Sequence, residues 1–175
     1  MKLPKVNSPG IQRIVHHPNF QVVFHRPIKI ISKYDVPYLA GYNKQGNTVF
    51  FDRHFNPYMP WKGKKVDLRP FIAFHEIGEN ALLNQFGYRY QQAHHIITHF
   101  ELRLVKQAGI DTRYYDRFLK PQIKGIYNEK LQKVPKNLDL RPYKDEHERR
   151  ILRSLQQGKD VRTFTRKVSI HRHRH

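Results

Sequence analysis

The chain has 175 residues, with 33 lysines and arginines against 14 aspartates and glutamates for a formal charge of +19, and it is 38% hydrophobic and 13% aromatic. This length and apolar content predict one domain over residues 1–157 with a basic tail over 158–175, and they exclude a wholly disordered polycation. Cysteine is absent, which excludes disulfides, thiolate nucleophiles and cysteine-held zinc or iron–sulfur clusters, so any metal must sit on histidine and carboxylate.

In chain order, short β-rich runs at 21–25, 28–32 and 48–52 are punctuated by Pro18, Pro27 and Pro37 and by the turn signal at 43–46. They predict strands, with 38–42 and 48–52 as the clearest hairpin. Residues 53–66 are rich in proline, glycine and lysine and read as a loop. Asp67 then stands as N-cap of a helix ending at Gly87, and a second helix runs from about Tyr90 to Gln107 with Gly109 as its stop. Asp111 caps a third helix that Pro121 interrupts, and a last amphipathic segment covers 147–155. The expectation is an α+β fold: a small N-terminal antiparallel sheet (about 11–52), then a helical half (about 67–157) in which two antiparallel helices follow one another.

No apolar run approaches the ~18 residues of a membrane span, and MKLPKVNSPG lacks the apolar segment of a secretory signal. A soluble, unexported chain with no membrane partner is expected.

Charge is unevenly spread. Residues 1–66 carry eleven basic and two acidic side chains and 141–175 carry eleven and four, whereas 67–108 carry four of each. The neutral stretch contains FIAFHEIGENALL, in which His75 and Glu79 fall within about 40° of one another on a helix. Counted from Leu68, the apolar residues Phe71, Ile72, Leu82, Leu83 and Phe86 lie within ~60° of zero, with His75 and Glu79 near the centre of that stripe. An ionised carboxylate aimed into a core costs several kcal/mol unless a cation accompanies it, and a metal ion is the economical answer. Glu76, at roughly 80°, stands at the edge of the stripe, where a general base serves beside the ligands rather than among them.

On the second helix, YQQAHHIITHFELRLV, the residues His94, Thr98 and Glu101 share a face beside the apolar stripe of Ala93, Ile97, Phe100 and Leu104. His95 and His99 fall on the outward side with Arg103 and Lys106. Catalytic zinc takes three protein ligands and keeps a position for water. His75, Glu79 and His94 meet that count, with Glu101 as a fourth ligand or an orienting group and Thr98 behind the ligands. A hydrogen-bonded histidine–glutamate network in the core is the alternative.

The segments GNTVFFDR, VDLRPFIAFHEIGENAL and GYRYQQAHHIITHFE resemble a group of small phage and prophage proteins, and the order hairpin, loop, HExxE helix, second helix resembles minimal zincin-like metallopeptidases of the gluzincin type. The resemblance covers about residues 40–105, with Glu79 where zincins normally carry histidine. It implies zinc, or another divalent metal, at His75 and Glu79, completed by His94 or Glu101, with Glu76 as base. It also implies that an extended peptide lies against the strand at 49–52, and a location in the host cytoplasm or the virion.

The basic flanks interleave cations with Tyr114, Tyr115, Phe118, Tyr127 and Phe164, a pattern suited to phosphate backbones without sequence readout. In the basic tail, which ends in HRHRH, Arg166, Lys167, Arg172 and Arg174 are candidate phosphate contacts. The expected partner is nucleic acid or an acidic protein surface. Two function classes follow: a zinc-dependent hydrolase of peptide-like bonds, or a non-enzymatic phage component whose metal staples the helices while its basic surface engages DNA or capsid and tail proteins.

Overall fold

The computed structural model describes residue 24, residues 26–145 and residue 153. The expected strand at 21–25 and the segment at 147–155, apart from Phe24 and Arg153, and the whole tail lie outside the described residues.

The chain first forms β1 (Lys29–Tyr34), β2 (Ala40–Tyr42) and β3 (Thr48–Asp52). The turn at 43–46 closes as expected: Asn43 Oδ1 accepts the backbone N–H groups of Asn47 and Thr48 at 3.1 and 3.0 Å, and Gly46 adopts φ +67°, which a side chain would resist. β2 and β3 pair antiparallel, with Gly41 opposite Phe50. β3 then inserts between β2 and β1, to which it runs parallel. Every residue of β3 is buried because both faces are covered. Val49 and Phe51 enter the main core, while Phe50 enters a smaller cluster with Val36, Leu131, Val134, Leu138 and Tyr143.

The stretch expected to be a loop folds instead as a second hairpin, β4 (Tyr58–Trp61) and β5 (Lys64–Asp67). Its two turn residues, Lys62 and Gly63, take φ +47° and +74°, the conformation tight hairpins demand. Lysine at the first of these positions, and Pro60 within β4, hide the signal.

α1 (Arg69–Gln85) begins after Leu68 with Pro70 in its first turn. Asp67 is one residue outside the cap, where its carboxylate accepts the Arg69 backbone N–H at 3.0 Å. Gly87, at φ +66°, ends the helix, and the Tyr88 N–H returns to the Leu82 carbonyl at 3.1 Å. α2 (Tyr90–Gln107) follows at once and turns at Gly109, as its sequence predicts. The two helices approach closely at Gly78, where a Cβ atom would stand 2.2 Å from Ile97 Cδ1. α3 (Thr112–Asn128) is capped by Asp111. It runs straight through Pro121, which sits on the solvent side, where water can satisfy the carbonyl left without a partner one turn earlier. The short α4 (Arg141–Asp145) follows. The fold is α+β, sheet first and helices after, with β2 packed against α1. Among the described residues no helix is long and apolar enough to cross a membrane.

Candidate metal centre

The one-turn spacing of His75 and Glu79 on α1 puts both into the face packed on α2, and both are buried. From α2, His94 reaches the same point. Nε2 of His75, Oε2 of Glu79 and Nδ1 of His94 form a triangle with sides of 3.1, 3.0 and 3.6 Å. A zinc tetrahedron with ligand distances of about 2.0–2.1 Å has edges of about 3.3–3.4 Å. The three donor atoms therefore already stand at nearly the separations that such an ion requires, and two nitrogens with one carboxylate oxygen is a donor set suited to it.

Glu101 does not join the triangle. Its Oε2 lies 2.8 Å from Nδ1 of His75, on the far side of the ring, where it fixes the ring orientation and turns Nε2 towards Glu79 and His94. A second tier holds the carboxylates. The hydroxyl of Tyr42, from β2, donates to Oε1 of Glu79 at 2.8 Å, leaving Oε2 for the histidines. The hydroxyl of Tyr115, from α3, donates to Oε1 of Glu101 at 2.5 Å. Burial and the adjacent carboxylate push both phenols well above their ordinary pKa, so they remain donors. Sequence reasoning missed Tyr42, whose partner is 37 residues away. It set Tyr115 among the surface aromatics, yet Tyr115 is buried.

Burial opposes the charge on His75, but Glu101 and Glu79 outweigh it and hold the imidazole well above its usual 6.5. Burial likewise opposes the Glu79 carboxylate, and His75 and His94 outweigh it and hold the group below its usual range. Glu76, partly buried beside them, is pushed up to about 8 by burial and then by the charge of Glu79. A dication at the donors would relieve that repulsion and return Glu76 to its ionised form.

The site is closed on one side and open on the other. The side chains of His75 and Glu79 are 10% and 5% exposed, whereas that of His94 is 49% exposed. Thr98, one turn after His94, makes no hydrogen bond to the histidines or carboxylates. Its hydroxyl is buried with no partner among the described residues, a vacant polar contact on the site-bearing face of α2. His95 is exposed and His99 partly so, as their outward position predicts. Arg166, Lys167, Arg172 and Arg174 lie outside the described residues.

A second gathering, Asp35, Asp52 and His54, is already engaged in other contacts. Asp35 pairs with Arg53 at 2.6 Å and accepts the N–H groups of Gln132 and Lys133. Asp52 accepts those of Val36 and His54, and His54 pairs with Glu129 at 2.6 Å. These contacts tie the sheet to the segment after α3.

The expected role of residues 49–52 as an edge for an extended peptide is overturned: β3 is the central strand, paired on both sides. The outer edge of β2 is also engaged, since Asn43 bridges Leu138 and the Asp139 N–H donates to the Tyr42 carbonyl at 2.8 Å. Compared with models of protein families, with curated proteins and with solved structures, the chain matches none.

Proposed function

We propose that the chain is a divalent-metal hydrolase, with zinc the preferred ion, acting on a peptide-like acyl bond. The observation that carries this reading is the donor triangle of His75, Glu79 and His94, open to solvent on the His94 side, with Glu76 beside it. A purely structural zinc site is ordinarily closed by four protein ligands, and neither the exposure of His94 nor the placement of Glu76 suits that purpose. The ion would supply Lewis-acid polarisation of the substrate carbonyl and acidification of a water molecule. The protein's own part is to hold the donors through Glu101, Tyr42 and Tyr115, and to take a proton from water on the Glu76 carboxylate and return it to the leaving group.

The resemblance to phage proteins makes the host cytoplasm or the virion the proposed location. A second reading, a non-enzymatic virion or DNA-associated protein whose metal is structural, draws support from the sheet: β3 is central and the outer edge of β2 is engaged, so neither strand is left to align a peptide. Hydrolysis of an unfolded protein substrate that is abolished by a chelator and restored by zinc supports the first reading. A zinc-loaded protein without such activity supports the second.

A further inference from the structure

The turn of the β4–β5 hairpin stands against the start of α3, and between them lies a cleft of about 600 Å³ lined by Trp61, Asp111, Arg113, Tyr114 and Arg117. The Trp61 indole N–H donates to the Gly109 carbonyl at 3.1 Å, which fixes the ring by its edge. Tyr114 is set beside it at 5.2 Å between centroids and 44° between planes, so the rings are splayed rather than stacked. Cations surround them: Lys62 lies 5.5 Å from the Trp61 ring centre and Arg117 lies 5.9 Å from that of Tyr114. Lys62, Arg113 and Arg117 are exposed. The acid in the cleft, Asp111, is committed to the Tyr114 backbone N–H at 2.8 Å, and Asp116 is paired with Lys120 at 2.5 Å.

We propose that this cleft binds single-stranded nucleic acid, with Trp61 and Tyr114 receiving unpaired bases and Lys62, Arg113 and Arg117 holding the adjoining phosphates. Positive charge alone would serve a duplex or an acidic protein equally well. Two half-buried aromatic rings set among these cations add a stacking surface that unpaired bases can use, whereas bases in a duplex keep their faces inside the stack. The site is independent of the metal centre, although one turn of α3 serves both: Tyr115 points to Glu101 and its neighbour Tyr114 lines the cleft.

The chain has a single tryptophan beside ten tyrosines, so fluorescence excited at the red edge, where only the indole absorbs, reports on this cleft. Titrating the full chain with an oligothymidylate of about twenty nucleotides should quench that fluorescence saturably, and rising salt should weaken the binding. In anisotropy measurements with the same labelled strand, Arg113→Gln/Arg117→Gln should lose about tenfold or more in affinity. Lys44→Gln/Lys136→Gln, which removes equal charge from exposed positions elsewhere, should lose about twofold. Trp61→Ala should lose about tenfold as well; should that variant fail to fold, the arginine pair carries the test. Binding without a change in fluorescence, equal losses in the two double variants, or tighter binding of a duplex of the same length would each overturn the proposal.

Discussion

Nδ1 of His75 and Oε2 of Glu101 lie 2.8 Å apart across the α1–α2 interface, which gives Glu101 the place of a positioning residue in the proposed metal site. Glu101→Gln should therefore keep the fold while lowering zinc affinity by about 10–100-fold, measured by competition with a chromogenic chelator. Tyr115→Phe, one contact further out, should lower it less. Unchanged affinity in Glu101→Gln would remove Glu101 from the site.

The pH dependence has opposite signs without and with metal. In the metal-free protein, His75 is raised above 6.5, so its stabilising contribution is complete below that value and is lost as pH rises through its folded pKa. Glu79 is lowered from 4.5, so its contribution is present above that value and is lost as pH falls through its folded pKa. Glu76, raised from 4.5 to about 8, subtracts increasingly from stability as pH rises through that interval, because the unfolded chain ionises there while the fold keeps the group protonated. The metal-free melting temperature should thus be highest in mildly acidic solution and fall towards pH 8. Zinc requires the His75 nitrogen free of its proton, so its affinity should climb over the same range, and the stabilisation it gives in thermal melts should widen with pH. A constant zinc-induced shift from pH 6 to 8 would contradict this.

Glu76→Gln should leave zinc content intact and the melting temperature equal or slightly higher, because a partly buried carboxylate repelled by Glu79 is removed. Any hydrolytic activity should disappear with it. Loss of zinc in this variant would make Glu76 a ligand.

Gly46 and Gly63 both have positive φ, but a Cβ at Gly46 would lie 2.3 Å from Asn80 Oδ1, whereas one at Gly63 meets nothing within 4 Å. Gly63→Ala should cost about 1 kcal/mol through backbone conformation alone. Gly46→Ala should cost more, because Asn80 must also release the Asn43 and Lys44 carbonyls that dock the hairpin on α1. Equal denaturation midpoints would show that this docking contributes nothing.

What the sequence revealed was local. Helical periodicity and the stops at Gly87 and Gly109 outlined α1 and α2, and the one-turn spacing of His75 and Glu79 set both on the buried face. The choice between His94 and Glu101 was not legible, because both share a face of α2 and only the rotamer of His75, held between Glu101 and the triangle, separates them. Tyr42 and Tyr115 reach the site through packing between elements distant in sequence, and the parallel β1–β3 pairing is likewise a long-range contact without a short-range signal. Pro121 misled because a helix tolerates proline where the freed carbonyl meets water.

Binding of one divalent ion by His75, Glu79 and His94 is the step on which the proposed chemistry depends. Its most direct test is the metal content of the full chain, purified without a nickel column and measured by native mass spectrometry before and after zinc is added. About one tightly held equivalent of zinc is expected, lost in a His75→Ala/Glu79→Gln variant that still carries the histidine-rich tail. Stoichiometry near zero after zinc addition, or an equivalent retained in that variant, would contradict it.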